Sequence, residues 1–265
     1  MNEGTFRFSV EELTYLLAMS GFRDEGRALL AGTFDEELND DQLEQRMLTA
    51  AHSLMAREMM AVGGDGSINL EENTAALARV LVDADYSFRF SKAVSDGEIA
   101  GELAFSIHHA QNQWIEHTIE QGVVHQLSVF NSTERLIGDA LSFLEPPRGA
   151  AQFAPFDAPG AVLEVLTNPD AAVSHRLRQA GVPADLIPML SVDASEAQYQ
   201  GSIMLVEYDE NRSPVSNHGA LLLQGPERLW LLRPTVQNGE TIFTVLPGSA
   251  QAVEQELRRL LSLKG

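Results

Sequence analysis

The sequence predicts an α+β fold of two quasi-repeated lobes. Each lobe reads as helices, then an antiparallel meander, then a closing helix, with the sheets joined around a pseudo-twofold. Three observations predict this. Residues 119–144 and 236–261 share one plan of strand, Gly turn, strand, polar cap and amphipathic helix. Within that plan Gly122 and Gly239, Ser132 and Ser249, Leu136 and Val253, and Leu144 and Leu261 fall at equal offsets. The apolar period also changes from helical to two at Tyr86. Finally, the Pro- and Gly-rich run 147–160 reads as a linker between an N-terminal half, 1–146, and a C-terminal half, 161–265.

The elements follow in order. Ser9 with Glu12 three residues later is a capping box, with Phe8 placed as a staple. The helix it opens carries Val10, Leu13, Leu16 and Leu17 on one face and stops at Gly21. A short helix over 24–31 and an acidic connector through Asp40 come next. Leu43, Met47, Ala51 and Leu54 keep helical spacing to about Met60, where Gly63-Gly64-Asp65-Gly66 breaks the pattern. Asn69 is placed to cap a helix with Leu77, Val80 and Leu81. Tyr86, Phe88 and Phe90 then alternate with polar residues as a strand, and Asp96-Gly97 is a hairpin signal. Strands are expected over 98–109, 114–120 and 123–130, before a helix capped by Ser132 or Thr133. In the second half a helix capped by Asn168, with Pro169 in its first turn, ends at Gly181. A short helix over 184–190, strands over 200–208, 219–223, 228–233 and 241–246, and a helix from Ser249 to Ser262 complete the chain.

Composition narrows the function. The 265 residues suffice for a proper core, and with no cysteine there is neither disulfide nor thiol chemistry. With 38 acidic against 18 basic residues the net charge is −20, which repels nucleic acid and anionic membranes alike. Residues 1–85 hold 17 acids and 6 bases, so the N-terminal helices are the most acidic part. No signal peptide opens the chain and no apolar run is long enough to span a bilayer, so a cytoplasmic protein is expected.

No catalytic motif is present. The sequence has no Gly-x-Ser-x-Gly elbow, no phosphate-binding Gly-x-x-x-x-Gly-Lys loop and no dinucleotide fingerprint. The run from Gly63 to Glu72 has the Gly and Glu of a calcium loop. Its first and third positions are Ala61 and Gly63, which offer no side-chain oxygen, so a turn between helices is the better account. His108, His109, His117 and His125 cluster on the first meander. His117 and His125 face each other if the turn at 120–122 has three residues, and a cross-strand pair explains them better than zinc, which needs a third ligand. Met47, Met55, Met59 and Met60 read as core filling. No metal, cofactor or catalytic residue is expected.

Four stretches carry a family resemblance: FSVEELTYLLAMSGF, AAHSLMAREMMAVGGDGSINLEENTAALARVL, LRQAGVPADLIPML and TVLPGSAQAVEQELRRLL. Together they make the chain resemble the EspG family of type VII (ESX) secretion-associated proteins, over nearly its whole length and as a pattern of elements. The resemblance implies a quasi-twofold α+β fold and a non-enzymatic cytosolic chaperone or adaptor. Its client would be a secreted helical protein of PE/PPE or WXG-like type, bound through the central sheet and C-terminal helices. No family contact residue transfers by identity. The client-surface candidates on predicted strands are Trp114, Trp230, Met204 and Val206. The expected state is a monomer or homodimer. Two alternatives stand beside this reading: a self-associating scaffold, and a metal-dependent enzyme using His108, His109, His117 and His125.

Overall fold

The computed structural model describes residues 3–33, 39–96, 99–110 and 112–264. The first half runs β1 (Gly4–Ser9), α1 (Val10–Met19), α2 (Arg23–Thr33), α3 (Asp40–Ala56), β2 (Met60–Val62), β3 (Ile68–Leu70) and α4 (Glu72–Val82). Then come β4 (Tyr86–Asp96), β5 (Ile99–Ala110), β6 (Gln113–Glu120), β7 (Val124–Phe130) and α5 (Thr133–Leu144). The second half runs β8 (Phe156–Pro159), α6 (Ala161–Thr167), α7 (Val173–Gln179) and α8 (Ile187–Ser195). It continues through β9 (Tyr199–Tyr208), β10 (Pro214–Gln224), β11 (Leu229–Gln237) and β12 (Glu240–Gly248) to α9 (Ala250–Ser262). This is the α+β class the sequence predicts: strand, helices, four strands and a helix, in that order in both halves, with the β2–β3 hairpin inserted before α4 in the first. In each half the opening strand pairs antiparallel with the fourth strand of the meander, β1 with β7 and β8 with β12.

The chain forms two compact units that interleave in sequence. The first holds Met1–Ser87, Phe105–Ser132 and Glu207–Val215; the second holds Phe88–Ala104, Thr133–Val206 and Ser216–Gly265. They do not coincide with the division at 147–160, because β4, β5, β9 and β10 each have residues in both.

In the first unit the strand order is β1-β7-β6-β5, and one face is covered by helices. Leu13, Leu16, Leu17, Leu54 and Leu77 pack there with Phe8, Ile115, Leu127 and Val129. The predicted capping box forms: Ser9 Oγ accepts from Glu12 N–H at 3.2 Å, and the Glu12 carboxylate accepts from Ser9 N–H at 2.9 Å. Glu12 also accepts from Ser53 at 2.6 Å and Arg57 at 2.9 Å, so one carboxylate ties α1 to α3. The β9–β10 connection belongs to this unit. Arg212 there lies 4.5 Å over the Phe22 ring and pairs with Glu25 at 2.8 Å and Asp83 at 2.7 Å.

In the second unit the order is β5-β4-β9-β10-β11-β12-β8. Leu229, Trp230, Leu231 and Leu232 of β11 are all buried, so this strand has apolar side chains on both faces. Trp230 and Leu232 pack with α6, α7 and α8. Arg233 shares a face with Leu229 and Leu231, and its guanidinium reaches the buried Glu256 of α9 at 2.5 Å. Burial opposes ionisation of Glu256, but hydrogen bonds from Arg259 and Arg233 hold its carboxyl below the usual range. The Trp230 indole N–H donates to buried Asp193 at 2.8 Å, and Arg228 approaches the same carboxylate at 3.2 Å. A Cβ on Gly225 would fall 2.2 Å from Asp193 Oδ1, so glycine alone fits beside it.

Several elements differ from the sequence expectation. The chain leaves α3 at Arg57, where Glu58 takes a left-handed φ of 60°, so Met59 and Met60 are not helical. Residues 60–70 form a β-hairpin rather than a turn between helices. Glu71, not Asn69, caps α4 by accepting from Thr74 N–H at 2.9 Å. β8 and the start of α6 occupy chain expected as linker or just beyond it, and the helix expected at Pro169 starts only at Val173. β1 was not expected either. These misses are short elements whose stability comes from tertiary partners rather than from local pattern. The Asp96-Gly97 turn lies outside the described residues.

Replacing Asp193 by Ala would leave the buried indole N–H of Trp230 without an acceptor. The substitution is expected to lower the unfolding free energy by about 2–3 kcal/mol, read from urea denaturation.

Candidate functional site

Three of the four client-surface candidates are buried. Trp230 is fully enclosed, with its ring 4.6 Å from Phe153 and its N–H on Asp193. Trp114 is buried, stacks against Phe130 at 6.4 Å and meets His109 at a tilt with centroids 4.5 Å apart. Val206 is buried in β9. Met204 is half-buried, and its sulfur would meet a Cβ on Gly219 at 3.0 Å. Alternation placed these residues on strands correctly, but it could not tell that the chain itself buries Trp230, Trp114 and Val206.

Three of the four histidines share one face and the fourth does not; the His108 and His117 ring centroids lie 6.2 Å apart. His108 presents Nδ1 to Ser87 Oγ and Nε2 to Ser106 Oγ, each at 2.9 Å. His117 Nε2 and His125 Nδ1 lie 2.8 Å apart, with ring centroids 5.1 Å apart. They are not directly opposed as expected. The hairpin loop is 121–123, so His117 faces Leu127, His125 faces Ile119, and the two rings meet diagonally. His109 follows His108 in the strand and so points to the other face. There it stacks on Tyr86 at 4.6 Å, with Asp85 at 3.7 Å. Among the described residues no three His, Asp or Glu side chains are grouped to hold a metal ion. The metal-dependent alternative therefore has no ligand set among these histidines.

The surface feature that sequence reasoning missed is a groove of about 380 Å³ in the second unit. Ala93 and Val94 of β4, Gly101 and Glu102 of β5, and Ala197, Tyr199 and Gln200 line it. Its fixed point is Tyr199, whose hydroxyl donates to the Leu144 carbonyl at 2.6 Å. Lys92 lies 4.6 Å over the Tyr199 ring and pairs with Glu145 at 2.7 Å. Burial, then the Glu145 charge, raises the Tyr199 pKa, so the phenol stays protonated and keeps donating. The lining is mainly small and apolar, which suits an apolar side chain. The only sequence signal for the groove was the run of small residues around Tyr199.

The His117–His125 contact has a pH signature. Burial, then the neighbouring His108 and His125, lowers the His117 pKa from 6.5 to about 3. Burial lowers that of His125 as well. Below pH 6.5 the unfolded chain therefore binds more protons at His117 than the folded chain does. The stability this neutral pair contributes is full above that pH and is lost as pH falls toward 3. The urea midpoint is expected to drop between about pH 7.5 and about pH 5, and a His117→Phe variant to show a flatter profile.

Comparison with known proteins places the chain. A protein of Bacillus subtilis (strain 168), described as "Uncharacterized protein YfjC", is 25% identical over 258 residues, covering 94% of this chain and 97% of its own length. Among solved structures, the fold matches the Mycobacterium tuberculosis type VII secretion system chaperone EspG5, solved in complex with a PE25–PPE41 dimer. The TM-score is 0.66 at 12% identity, covering 97% of this chain and 96% of that one, so the likeness is one of fold. The fold is thus EspG-like, as the resemblance implied. The model of the family described as "Uncharacterised protein YfjC" matches residues 5–152, more than half of the chain, and the protein belongs to that family.

Proposed function

We propose that the protein is a non-enzymatic, cytoplasmic chaperone or adaptor that holds a helical secreted client of a type VII system. The observation that carries this reading is the groove beside Tyr199, an open and mainly apolar surface. An exposed apolar helix tip aggregates unless a complementary surface covers it, and a groove of small side chains around one aromatic suits such a tip. The fold likeness to a chaperone solved with a helical PE25–PPE41 dimer supports the same reading. The client would seat apolar side chains between Val94 and Ala197, with Tyr199 beneath.

The test is co-expression with a small helical-hairpin secretion substrate from the same organism, followed by size-exclusion chromatography and titration. A stable complex is expected. Val94→Asp with Ala197→Asp should weaken it at least about tenfold, because a carboxylate buried against an apolar client goes unpaired. A complex indifferent to that pair of substitutions, or no complex with any such substrate, would overturn the proposal.

A further inference from the structure

The Gly63–Gly66 run is the tip of a hairpin whose outer half is uncovered. β2 and β3 pair as Met60–Leu70, Ala61–Asn69 and Val62–Ile68. Alternation puts Met60, Val62, Ile68 and Leu70 on one face. Met60 is buried and Leu70 packs against the core of the first unit, whereas Val62 and Ile68 are 57% and 41% exposed. An apolar strip thus leaves the core and ends in two open β-branched side chains.

The hairpin is built before any partner arrives. Gly63 N–H donates to the Ser67 carbonyl at 2.7 Å, and Gly66 N–H to the Gly63 carbonyl at 2.9 Å. Asp65 accepts from Ser67 N–H at 2.9 Å, and Gly66 supplies the φ of 82° the turn requires. A preformed surface loses little freedom on binding. The hairpin and the chain directly flanking it carry one sign of charge. Glu58, Asp65 and Glu72 are exposed along it, and there is no Lys or Arg from residue 58 to residue 78. Arg57 is held by Glu12.

We propose that the β2–β3 hairpin is a docking surface for a basic amphipathic helix. Its apolar stripe would lie on Val62 and Ile68, and its Lys or Arg residues would meet Glu58, Asp65 and Glu72. Charge selects this occupant: a second copy of a chain of net charge −20 is repelled, while a basic segment is attracted. The apolar pair fixes where it lands. A helix suits the strip because the open side chains form a face of the hairpin. This surface lies apart in sequence from the Tyr199 groove, and its test is independent of the client proposal.

The experiment is fluorescence anisotropy of a labelled Leu/Lys amphipathic helix titrated with the full chain. A Leu/Glu peptide with the same apolar stripe and a scrambled Leu/Lys peptide serve as comparisons. The Leu/Lys helix is expected to bind, and to weaken as salt rises. Val62→Ser with Ile68→Ser keeps every charge and should weaken binding about tenfold or more with an unchanged circular dichroism spectrum. If that double variant misfolds, Val62→Ser alone is used. Undiminished binding by the folded variant, equal binding of the Leu/Glu or scrambled peptide, or no binding of the Leu/Lys helix overturns the proposal.

Discussion

A strand that is apolar on both faces must be covered twice, and β11 sets that requirement for the second unit. Its Leu229–Leu232 segment has no polar side to offer water. Trp230 and Leu232 need α6, α7 and α8 on one side, and Leu229 and Leu231 need cover on the other. Arg233 then fixes α9 by meeting Glu256, a carboxylate that would be unstable in the interior without Arg233 and Arg259. On the opposite face Asp193 plays the matching part for Trp230 and Arg228. The apolar sandwich gives the stability, and the two buried carboxylates fix which arrangement it takes.

Much of this was legible in the sequence. The twin strand–turn–strand–helix units appear as β6–β7–α5 and β11–β12–α9. The loops differ in length, 121–123 against 238–239, but both place left-handed backbone at the same two positions, Gln121-Gly122 and Asn238-Gly239, so the glycines at equal offsets reported a real constraint. The Ser9 capping box and the Ser249 cap also formed where a hydroxyl preceded an apolar period. What escaped was cooperative. β8 is four residues held by pairing with β12, and β2 and β3 are three residues each held by one another, so neither leaves a periodic trace.

The site was less legible than the fold, for a related reason. Tryptophans and alternating strand residues mark places where area is buried, but not whether a partner or the chain itself buries it. Here the chain encloses Trp230, Trp114 and Val206. The open surfaces instead carry small or β-branched residues: Ala93, Val94 and Ala197 at the groove, Val62 and Ile68 on the hairpin. Four histidines close together in sequence divided by strand parity, with His108, His117 and His125 on one face and His109 turned away, and among the described residues they make no metal-holding group.

The interleaving of the two units bears on how a ribosome can deliver this chain. Helices α1, α2 and α4 leave the exit tunnel early, yet Arg212, which clasps Phe22, Glu25 and Asp83, is translated more than a hundred residues after the last of them. At about 5–20 residues per second, the nascent first unit stays without that clasp for several seconds or longer. The strong acidity of residues 1–85 then acquires a second use: mutual repulsion keeps these early helices soluble while they wait for their latecoming arginine.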